Sequence, residues 1–376
     1  MKKIAFIVRM FQEKSFHGGG EKLFYNLIKR FSQDNFVIDV YCSESNVENP
    51  NFVNKINIIK EPYDHNKPET MENFYNKVQE QIKNEIYDHI ISENITPPVD
   101  ITFLQGHSLI NRLRKTKNPF ESFLYRFRKI KKQRIKYQEK WLKQGYRKIF
   151  AVSELLKQDI MDNFDIPENN IKVIYPGVDM PETQDLKTVN SPVIFGLLAP
   201  GFKIKGGYIF LNALKILKQK GYKFKARIIY PKFKGNLGVK LLVSLNNLSE
   251  SIDFISYQKD IFAFYRSLDC LVVPSLEDTF NLAALEAMSV AKPCIVSKNA
   301  GVSEIINDNI NGFTFEINRK SSENLAEKMM FYIDNPDLRS GLSQSAFKTA
   351  EKYSWDKVYE EFSHELSMLS IKKICK

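Results

Sequence analysis

The sequence predicts an α/β protein built from two doubly wound domains. The chain has 376 residues, and a domain prior of roughly 100–200 residues favours two domains over one. Short apolar strand patterns alternate with helical patterns in two successive series. Strands of this kind are typical of parallel sheets with helices on both faces. One such sheet is therefore expected for each series.

The two series place the strands along the chain in order. The first series contains the strand patterns KIAFIV, FVIDVYC, INII, YDHIIS, VDITFLQ, KIFAVS and IKVIYPG, with helical patterns such as 20–33 and 153–164 between several of them. The second series contains VIFGLLA, KARIIYP, IDFISY, CLVVPS, PCIVSK and GFTFE. A proline-containing stretch without periodicity, 176–192, separates them. We expect domains at 1–180 and 181–355, and a C-terminal helix, 356–376, that returns to the first domain.

The composition restricts the class of protein. Apolar residues make up 43% of the chain and charged residues 26%, values typical of a soluble globular protein, so disordered and fibrous classes are excluded. The N-terminal run MKKIAFIVRM is interrupted by Arg9 and lacks a cleavage site, which favours a buried strand over a signal peptide. No apolar run approaches the roughly 18 residues of a membrane helix. Four scattered cysteines without metal-ligand spacing indicate reduced structural thiols in a cytoplasmic protein.

The positive charge is concentrated in residues 111–148. This segment carries fifteen lysines and arginines against Glu121 and Glu139, a surplus of 13 that exceeds the net charge of +11 of the whole chain. Its aromatic and aliphatic residues recur at roughly helical spacing, which is typical of a segment that binds an anionic membrane surface. Nucleic acid is the rival partner, but no recognition motif accompanies the segment. A helix packed on its domain with a solvated charged face is the third interpretation.

Two loops could bind phosphate. The stretch FHGGGEKLFYNLIKRF, residues 16–31, places three glycines before a helix, where backbone N–H groups and the helix N-terminus attract anions. The stretch LLAPGFKIKGG, residues 197–207, places Lys203 and Lys205 after the first strand of the second domain. A lysine there can neutralise a phosphate. The alternatives are a flexible glycine turn and two solvated surface lysines.

The stretch PSLEDTFNLAALEAM, residues 274–288, follows the strand CLVVPS. A helix that starts near Phe280 or Asn281 would direct its first N–H groups towards phosphate oxygens. Because carboxylates repel a diphosphate, Asp278 and Glu286 would bind ribose or sugar hydroxyls instead. The alternative is that Asp278 is the N-cap of the helix and Glu286 is a surface helix acid.

His107 is the only one of five histidines that directly follows an apolar strand, in ITFLQGHSLI. In open parallel sheets, ligands bind beyond the carboxyl ends of the strands. His107 is therefore a candidate to face substrate, with a hydrogen-bonded structural histidine as the alternative. The cleft between two such domains is the expected site.

The segment PSLEDTFNLAALEAMSVAKPCIVSKNAGVSEIINDNINGFTFE resembles the signature region of a large family of retaining glycosyltransferases typified by bacterial lipopolysaccharide and mannosyl transferases. That family has the GT-B fold of two Rossmann-like domains. The glycine loop, FAVSELLKQDI, VIYPGVD and the Lys205–Gly206 pair match in order, so the resemblance covers nearly the whole chain. More narrowly, ISENITPPVDITFL and the basic segment are similar to glucosyltransferases of the lipopolysaccharide core, which associate with the inner membrane through a basic segment at this place.

The resemblance implies roles for individual residues. Lys205 would contact the donor diphosphate, and Glu286 the ribose. Asp278 and the backbone of Phe280, Asn281 and Leu282 would hold the transferred sugar and the phosphates. Gly19 and Gly20 would lie by the diphosphate, and His107 near the position of the family's active-site histidine or aspartate.

Two positions depart from the family pattern. The first acidic motif position holds Asp278 where the family has glutamate, so the adjacent Glu277 is a candidate substitute. The arginine that usually accompanies the lysine is absent near Ala199 and Pro200, which leaves Lys203 to supply the second charge.

The expected activity is a metal-independent, retaining transfer of a sugar from a nucleotide-diphosphate donor, a UDP-sugar, to a lipid-linked saccharide. No cofactor or metal is expected, and the expected location is the cytoplasmic face of the cell membrane, bound through residues 111–148. A nucleotide-sugar epimerase or hydrolase of the same fold is the enzymatic alternative. A nucleic-acid-binding protein that uses residues 111–148 is the non-enzymatic one.

Overall fold

A computed structural model describes residues 1–13, 19–47, 50–61, 67–93, 99–108, 129–143, 146–181, 191–256 and 258–369. The chain divides into two units. The N-terminal unit comprises Met1–Gly177 and Trp355–Lys376, and the C-terminal unit comprises Val178–Ser354. The boundaries between the two units thus lie at 177/178 and 354/355. The sequence predicts these boundaries at 180/181 and 355/356.

The N-terminal unit is built on a parallel sheet. Its strands are β1 Lys3–Ile7, β2 Met10–Phe11, β3 Val37–Cys42, β4 Glu44–Ser45, β5 Lys55–Ile58, β6 His89–Glu93, β7 Ile101–Leu104, β8 Lys148–Ala151 and β9 Ile171–Val173. Within the described residues, seven of them pair in the order β5-β3-β1-β6-β7-β8-β9, all parallel. The short strands β2 and β4 pair separately. All seven predicted strands of the first series are present.

Helices cover both faces of this sheet. In the described part of the unit they span Gly19–Gln33, Pro68–Ile82, Lys129–Leu142, Glu154–Phe164 and Trp355–Met368. Alternate residues of β1 explain why two helical layers are needed. Ala5 and Ile7 join a core with Phe74 of the second helix, whereas Phe6 contacts Phe24 of the first. A strand that is apolar on both faces is stable only if both faces are covered.

The C-terminal unit repeats the architecture. Its strands are β10 Val193–Leu198, β11 Phe224–Ile229, β12 Ile252–Ile255, β13 Cys270–Val273, β14 Cys294–Ser297 and β15 Gly312–Phe315. In the part of the unit that the structure describes, they form a parallel sheet in the order β12-β11-β10-β13-β14-β15. This is the order of doubly wound dinucleotide-binding sheets. The six predicted strands of the second series are all present.

The helices of the C-terminal unit span Gly207–Gln219, Leu237–Leu245, Ile261–Arg266, Leu282–Ser289, Ser321–Asp334 and Leu338–Glu351. Leu211, Leu214 and Leu217 of the first of these helices are at most 1% exposed and pack with strand residues such as Phe195. Burial of such side chains contributes about 1.5–3 kcal/mol each and is the main stabilising term of the unit.

The chain returns to the N-terminal unit at Trp355. Gly177 makes this crossing possible, because a Cβ at that position would lie 2.3 Å from Cε3 of the Trp355 ring. The helix that begins at Trp355 then inserts Phe362 among Phe31, Phe103 and Phe150. The last helix of the chain therefore completes the aromatic core of the N-terminal unit.

Three cysteines, Cys42, Cys270 and Cys294, are free and buried, and burial raises the pKa of each thiol. Cys375 lies outside the described residues. Among the helices that the structure describes, none is both long and apolar enough to span a bilayer.

Candidate functional site

The C-terminal unit gathers polar residues at one edge of its sheet. Strands β10 and β13 are neighbours, and the chain leaves them towards opposite sides of the sheet order. The carboxyl ends of such a strand pair form the switch point, the usual ligand site of an open α/β sheet. Lys205 lies in the loop after β10 and Asp278 in the loop after β13.

These two residues form an ion pair. Nζ of Lys205 lies 2.6 Å from Oδ2 of Asp278. The same oxygen accepts hydrogen bonds from Nδ2 of Asn281 at 2.7 Å and from Oγ of Ser275 at 3.3 Å. The Lys205 side chain is 28% exposed and the Asp278 side chain 11%, so the pair lies at the surface with its lysine accessible.

Gly206 brings the two loops into contact. It adopts φ +74°, a left-handed conformation that favours glycine, and a Cβ there would lie 1.8 Å from the carbonyl oxygen of Pro274. Next to it, the N–H of Leu276 donates to the carbonyl of Ile204 at 2.9 Å. The position of Lys205 is therefore set by backbone contacts between the loops.

The loop after β13 is held on its other side by the loop after β14. The N–H of Asp278 donates to the carbonyl of Asn299 at 3.1 Å, and the N–H of Gly301 donates to the carbonyl of Asp278 at 3.1 Å. Phe280 is 3% exposed, and its carbonyl accepts from the N–H of Val302 at 2.7 Å. The Asp278 backbone is thus fixed before any ligand contact is made.

The helix that follows begins at Leu282, and its N-cap is Asn281. Asn281 has φ +81°, and its side-chain oxygen accepts from the N–H of Ala284 at 3.2 Å. Asparagine tolerates this backbone region better than most residues. The alternative in which Asp278 caps the helix is therefore wrong, because the cap lies three residues later and Asp278 instead accepts from Lys205.

Glu286 is half-buried on this helix. Its Oε2 accepts a hydrogen bond from the hydroxyl of Tyr265 at 2.9 Å, and Tyr265 is fully buried. Burial and the nearby carboxylate of Glu286 raise the pKa of Tyr265 well above its ordinary value, so the phenol stays protonated and donates. Glu286 is therefore a partly exposed helix acid whose carboxylate is oriented by a buried phenol.

Glu277 and Lys203 are close in sequence to Asp278 and Lys205, but neither belongs to the ion pair that the structure describes. Glu277 is buried, at 5% exposure, and the described side-chain hydrogen bond of Lys205 goes to Asp278. Lys203 is exposed, and its carbonyl accepts from the N–H of Gly206 at 3.1 Å.

In the N-terminal unit, His107 forms a buried pair that the sequence does not predict. Its Nδ1 lies 3.0 Å from Oδ2 of Asp159, which stands on the helix Glu154–Phe164. Ser108 donates to the same carboxylate through its N–H at 2.8 Å and through its hydroxyl at 2.6 Å. Burial acts to raise the pKa of Asp159, but these hydrogen bonds outweigh it and hold the pKa below its usual range.

Gly19 and Gly20 begin the first helix of the unit, whereas Gly18 lies outside the described residues. A Cβ at Gly20 would lie 1.8 Å from Oε1 of Gln105, which follows β7. Glycine at this position therefore allows the helix start to approach the carboxyl edge of the sheet, where His107 also lies.

A second charged cluster at this edge was not predicted from the sequence. Nη2 of Arg9 lies 3.0 Å from Oε1 of Glu21, which is 6% exposed. The N–H of Arg9 donates to Oε2 of Glu93 at 3.1 Å. Burial raises the pKa of Glu93 to about 7, although the Arg9 hydrogen bond opposes this shift. Glu93 ends β6 and Arg9 follows β1, so chain topology alone brings them together.

Much of the basic segment, residues 111–128 and 144–145, lies outside the described residues. The described helix Lys129–Leu142 packs on its own unit: Leu142 is 1% exposed, Tyr137 is 8% exposed, and Lys140 forms a 3.1 Å ion pair with Glu72. The side chains of Leu142 and Tyr137 are therefore buried within their own unit.

Two family models match the chain. Residues 17–181 match "Glycosyltransferase Family 4", and residues 185–349 match "Glycosyl transferases group 1". The second match covers the whole sheet of the C-terminal unit, and the first covers the sheet of the N-terminal unit except β1. The chain has the GT-B fold, and each of its two units matches a glycosyltransferase family model.

This GT-B chain is similar to an uncharacterized glycosyltransferase of Methanocaldococcus jannaschii, with 31% identity over 227 residues that cover 57% of this chain and 60% of that protein. The matched region spans about 60% of the length of the first curated relatives. Among solved structures, it is similar to WaaG, described as a glycosyltransferase involved in lipopolysaccharide biosynthesis, with TM-score 0.78, 16% identity and coverage of 97% of this chain and 100% of that one.

Anabaena HepE, solved in complex with UDP-glucose, is also similar to this GT-B chain. The TM-score is 0.69 and the identity 17%, with coverage of 98% of this chain and 100% of that one. At these identities, the similarity to WaaG and HepE establishes the shared fold alone.

Proposed function

We propose that this protein is a retaining, metal-independent glycosyltransferase that moves a sugar from a nucleotide-diphosphate donor, a UDP-sugar, to a lipid-linked saccharide. The observation that carries the proposal is the cluster of Lys205, Asp278 and Asn281 at the switch point of the C-terminal sheet. It combines an accessible cation, a helix N-terminus and an oriented carboxylate, which suit a diphosphate joined to a polyhydroxyl group.

Lys205 is the proposed electrostatic catalyst. As the bond between sugar and diphosphate breaks, negative charge develops on the leaving phosphate. A fixed ammonium group and the N–H groups at the start of the helix Leu282–Ser289 stabilise that charge without needing to reorganise. Lys203, exposed on the same loop, adds a second positive charge. This charge is available without a metal ion, which supports the metal-independent part of the proposal.

Asp278 is the proposed sugar ligand. Its described hydrogen bonds, from Lys205, Asn281 and Ser275, all end on Oδ2. Oδ1 is then the oxygen that accepts a sugar hydroxyl. Because Lys205 contacts Asp278, we assign the first acidic motif position to Asp278 and not to Glu277.

Glu286 is the proposed ribose ligand. The hydroxyl of Tyr265 donates to Oε2 of this carboxylate and so fixes its orientation. A carboxylate held in this way can accept hydrogen bonds from the two hydroxyls of a ribose. The backbone of Phe280, Asn281 and Leu282 is the proposed contact for sugar and phosphate oxygens. We also propose that Gly19 and Gly20 contact the diphosphate. His107 is proposed to contact the sugar or the acceptor.

A lipid-linked acceptor is proposed from the basic segment 111–148 and from the similarity to WaaG. An anionic bilayer attracts a cluster of lysines and arginines, with about 1 kcal/mol per cation near the surface. The proposed location is the cytoplasmic face of the membrane, and the proposed pathway is synthesis of a cell-surface glycan such as a lipopolysaccharide core.

Donor binding tests the proposal first. Titration of the protein with UDP and UDP-sugars by calorimetry is expected to show binding, and Lys205→Ala to lower the transfer rate by about 10²–10³-fold. Lys218 is an exposed lysine on the helix Gly207–Gln219, and Lys218→Ala is the matched control. It should leave UDP binding and the transfer rate unchanged. Near-wild-type transfer by Lys205→Ala would contradict the assignment.

Product analysis separates the enzymatic alternatives. Incubation with a nucleotide sugar and a lipid-linked acceptor should give a product whose anomeric configuration, read by NMR, matches that of the donor. Free sugar or an epimer formed without acceptor would favour a hydrolase or an epimerase. Binding to oligonucleotides but not to anionic vesicles would favour the nucleic-acid alternative.

A further inference from the structure

The hydrogen-bond partners of His107 determine which of its two ring nitrogens carries the proton. His107 is 6% exposed and Asp159 is 4% exposed, so their hydrogen bond is shielded from water. Among the residues that the structure describes, Nδ1 of His107 contacts Asp159, whereas Nε2 is buried and has no hydrogen-bond partner. An unpaired buried polar atom is unfavourable by about 1–3 kcal/mol, and such atoms in native proteins call for an explanation such as a ligand.

The carboxylate of Asp159 receives donors at both oxygens. Oδ2 accepts from Nδ1 of His107 and from the N–H of Ser108, and Oδ1 accepts from the hydroxyl of Ser108 and from Nδ2 of Asn163. An ionised carboxylate accepts hydrogen bonds and donates none. Nδ1 of His107 must therefore carry the proton in this contact.

The proton on Nδ1 determines the hydrogen-bonding role of the second ring nitrogen, Nε2. In a neutral imidazole with a proton on Nδ1, Nε2 presents a lone pair and acts as an acceptor. Its natural partner is an O–H donor. A sugar presents hydroxyls as donors, whereas a diphosphate presents acceptor oxygens, so this nitrogen selects the saccharide part of a substrate.

We propose that Asp159 is a positioning residue that holds His107 as the Nδ1–H tautomer, so that Nε2 accepts a hydrogen bond from a substrate hydroxyl. The role in catalysis rests on the proposed glycosyl transfer. The tautomer is a property of the chain alone and is tested separately. The contact also explains why a helix residue 52 positions away from His107 bears a buried carboxylate.

Two substitutions at Asp159 separate geometry from charge. In Asp159→Asn, the amide oxygen is expected at the Oδ2 position, because the N–H of Ser108 cannot reverse its polarity. The hydroxyl of Ser108 can turn to accept from the new NH₂ group, whereas Nδ2 of Asn163 keeps its hydrogen bond to the backbone carbonyl of Asp159. This variant keeps the tautomer and removes the negative charge. Asp159→Ala removes the acceptor altogether and frees the ring.

The first measurement is spectroscopic. Long-range ¹H–¹⁵N correlation spectra of protein labelled at histidine nitrogens distinguish protonated from unprotonated ring nitrogens. They are recorded near pH 8, above the ordinary histidine pKa of about 6.5, and His107→Gln assigns the signals. We expect a protonated Nδ1 and an unprotonated Nε2 in the wild type and in Asp159→Asn, and loss of this state in Asp159→Ala. A protonated Nε2 in the wild type would overturn the proposal.

The second measurement is kinetic. Asp159→Ala should lower kcat by about tenfold or more, the effect of one lost oriented hydrogen bond. Asp159→Asn should retain more of kcat, and the Kd for UDP should stay unchanged in both variants. Asp162→Asn, an exposed acid on the same helix, is the matched control and should change neither. Thermal unfolding of each variant verifies that it is folded.

The outcomes distinguish the two proposals. If the wild type transfers no sugar, the proposed function fails while the spectrum still decides the tautomer. If the tautomer is as expected but folded Asp159→Ala keeps its kcat, the positioning role is overturned. A parallel loss of UDP binding and stability in Asp159→Ala and Asp159→Asn would assign Asp159 a structural role only and would also overturn it.

Discussion

Nζ of Lys205 and Oδ2 of Asp278 lie 2.6 Å apart although the residues are separated by 73 positions in the chain. They meet because β10 and β13 are adjacent in the sheet and the loops that follow them share a backbone hydrogen bond. The carboxylate offsets part of the charge of Lys205. It thus opposes binding of a diphosphate while it holds the lysine at the switch point.

This relationship predicts opposite effects of Asp278→Asn on binding and on transfer. The amide keeps the shape of the side chain but removes a negative charge next to the proposed diphosphate site. Affinity for UDP should rise roughly fivefold or more, because charges a few ångströms apart near a protein surface interact by several kcal/mol. The transfer rate should fall, because the sugar hydroxyl loses its carboxylate partner. Calorimetry with UDP and a transfer assay measure the two effects.

Asp253→Asn is the control for Asp278→Asn, since it removes an exposed carboxylate from the same unit. It should leave UDP affinity nearly unchanged at moderate ionic strength. Weaker UDP binding by Asp278→Asn would show that the carboxylate assists diphosphate binding, contrary to the charge argument.

Gly206→Ala should destabilise the C-terminal unit and weaken UDP binding. Its φ of +74° disfavours alanine, and the new Cβ would lie 1.8 Å from the carbonyl oxygen of Pro274. Gly221→Ala is the matched control, because it has φ +83° but no atom within 4 Å of the new Cβ. The control should lose about 1–2 kcal/mol of unfolding free energy from backbone strain alone.

Urea unfolding of both glycine variants measures the difference. Gly206→Ala should lose at least about 1 kcal/mol more than Gly221→Ala, because the backbone of Pro274 must shift. Equal losses in the two variants would mean that the loops do not pack as closely as the structure places them.

Phe362→Ala should destabilise the N-terminal unit by about 3–5 kcal/mol. The ring lies with its centroid 5.0 Å from that of Phe150 and 5.7 Å from that of Phe31. Met368→Ala, at 72% exposure on the same helix, should stay within about 0.5 kcal/mol of the wild type. Chemical unfolding followed by near-UV circular dichroism measures both. A small loss for Phe362→Ala would show that the last helix is not part of this core.

The sheets were predictable because their strands are short apolar runs separated by helical patterns. All thirteen strands of the two sheets appear at the predicted places, whereas β2 and β4, with two residues each, carry no periodic signal. The helix start at Leu282 was predictable from the sequence within two residues. The N-cap was not, because Asp278 and Asn281 are both common capping residues, and only the hydrogen bond from the N–H of Ala284 to the Asn281 side chain decides between them.

The partners within the candidate site were not predictable. Asp159 belongs to an ordinary amphipathic helix pattern, and only the folded chain, in which that helix packs on β8 and β9, brings it to His107. The Lys205–Asp278 pair and the Arg9 contact with Glu93 depend in the same way on strand order. Strand order is a property of the folded sheet, and neither spacing nor composition encodes it locally.

Glu93→Gln should remove a pH dependence of stability. Burial raises the pKa of Glu93 from 4.5 to about 7, so between these values the folded protein binds more protons than the unfolded chain. Its contribution to stability is fully present below the unfolded pKa and is lost as the pH rises through about 7. The drop in Tm between pH 5 and pH 8 should therefore be smaller in Glu93→Gln than in the wild type. Glu80→Gln, an exposed acid of the same unit, should follow the wild type. If the two variants show the same drop, Glu93 is already ionised near pH 5 in the folded protein.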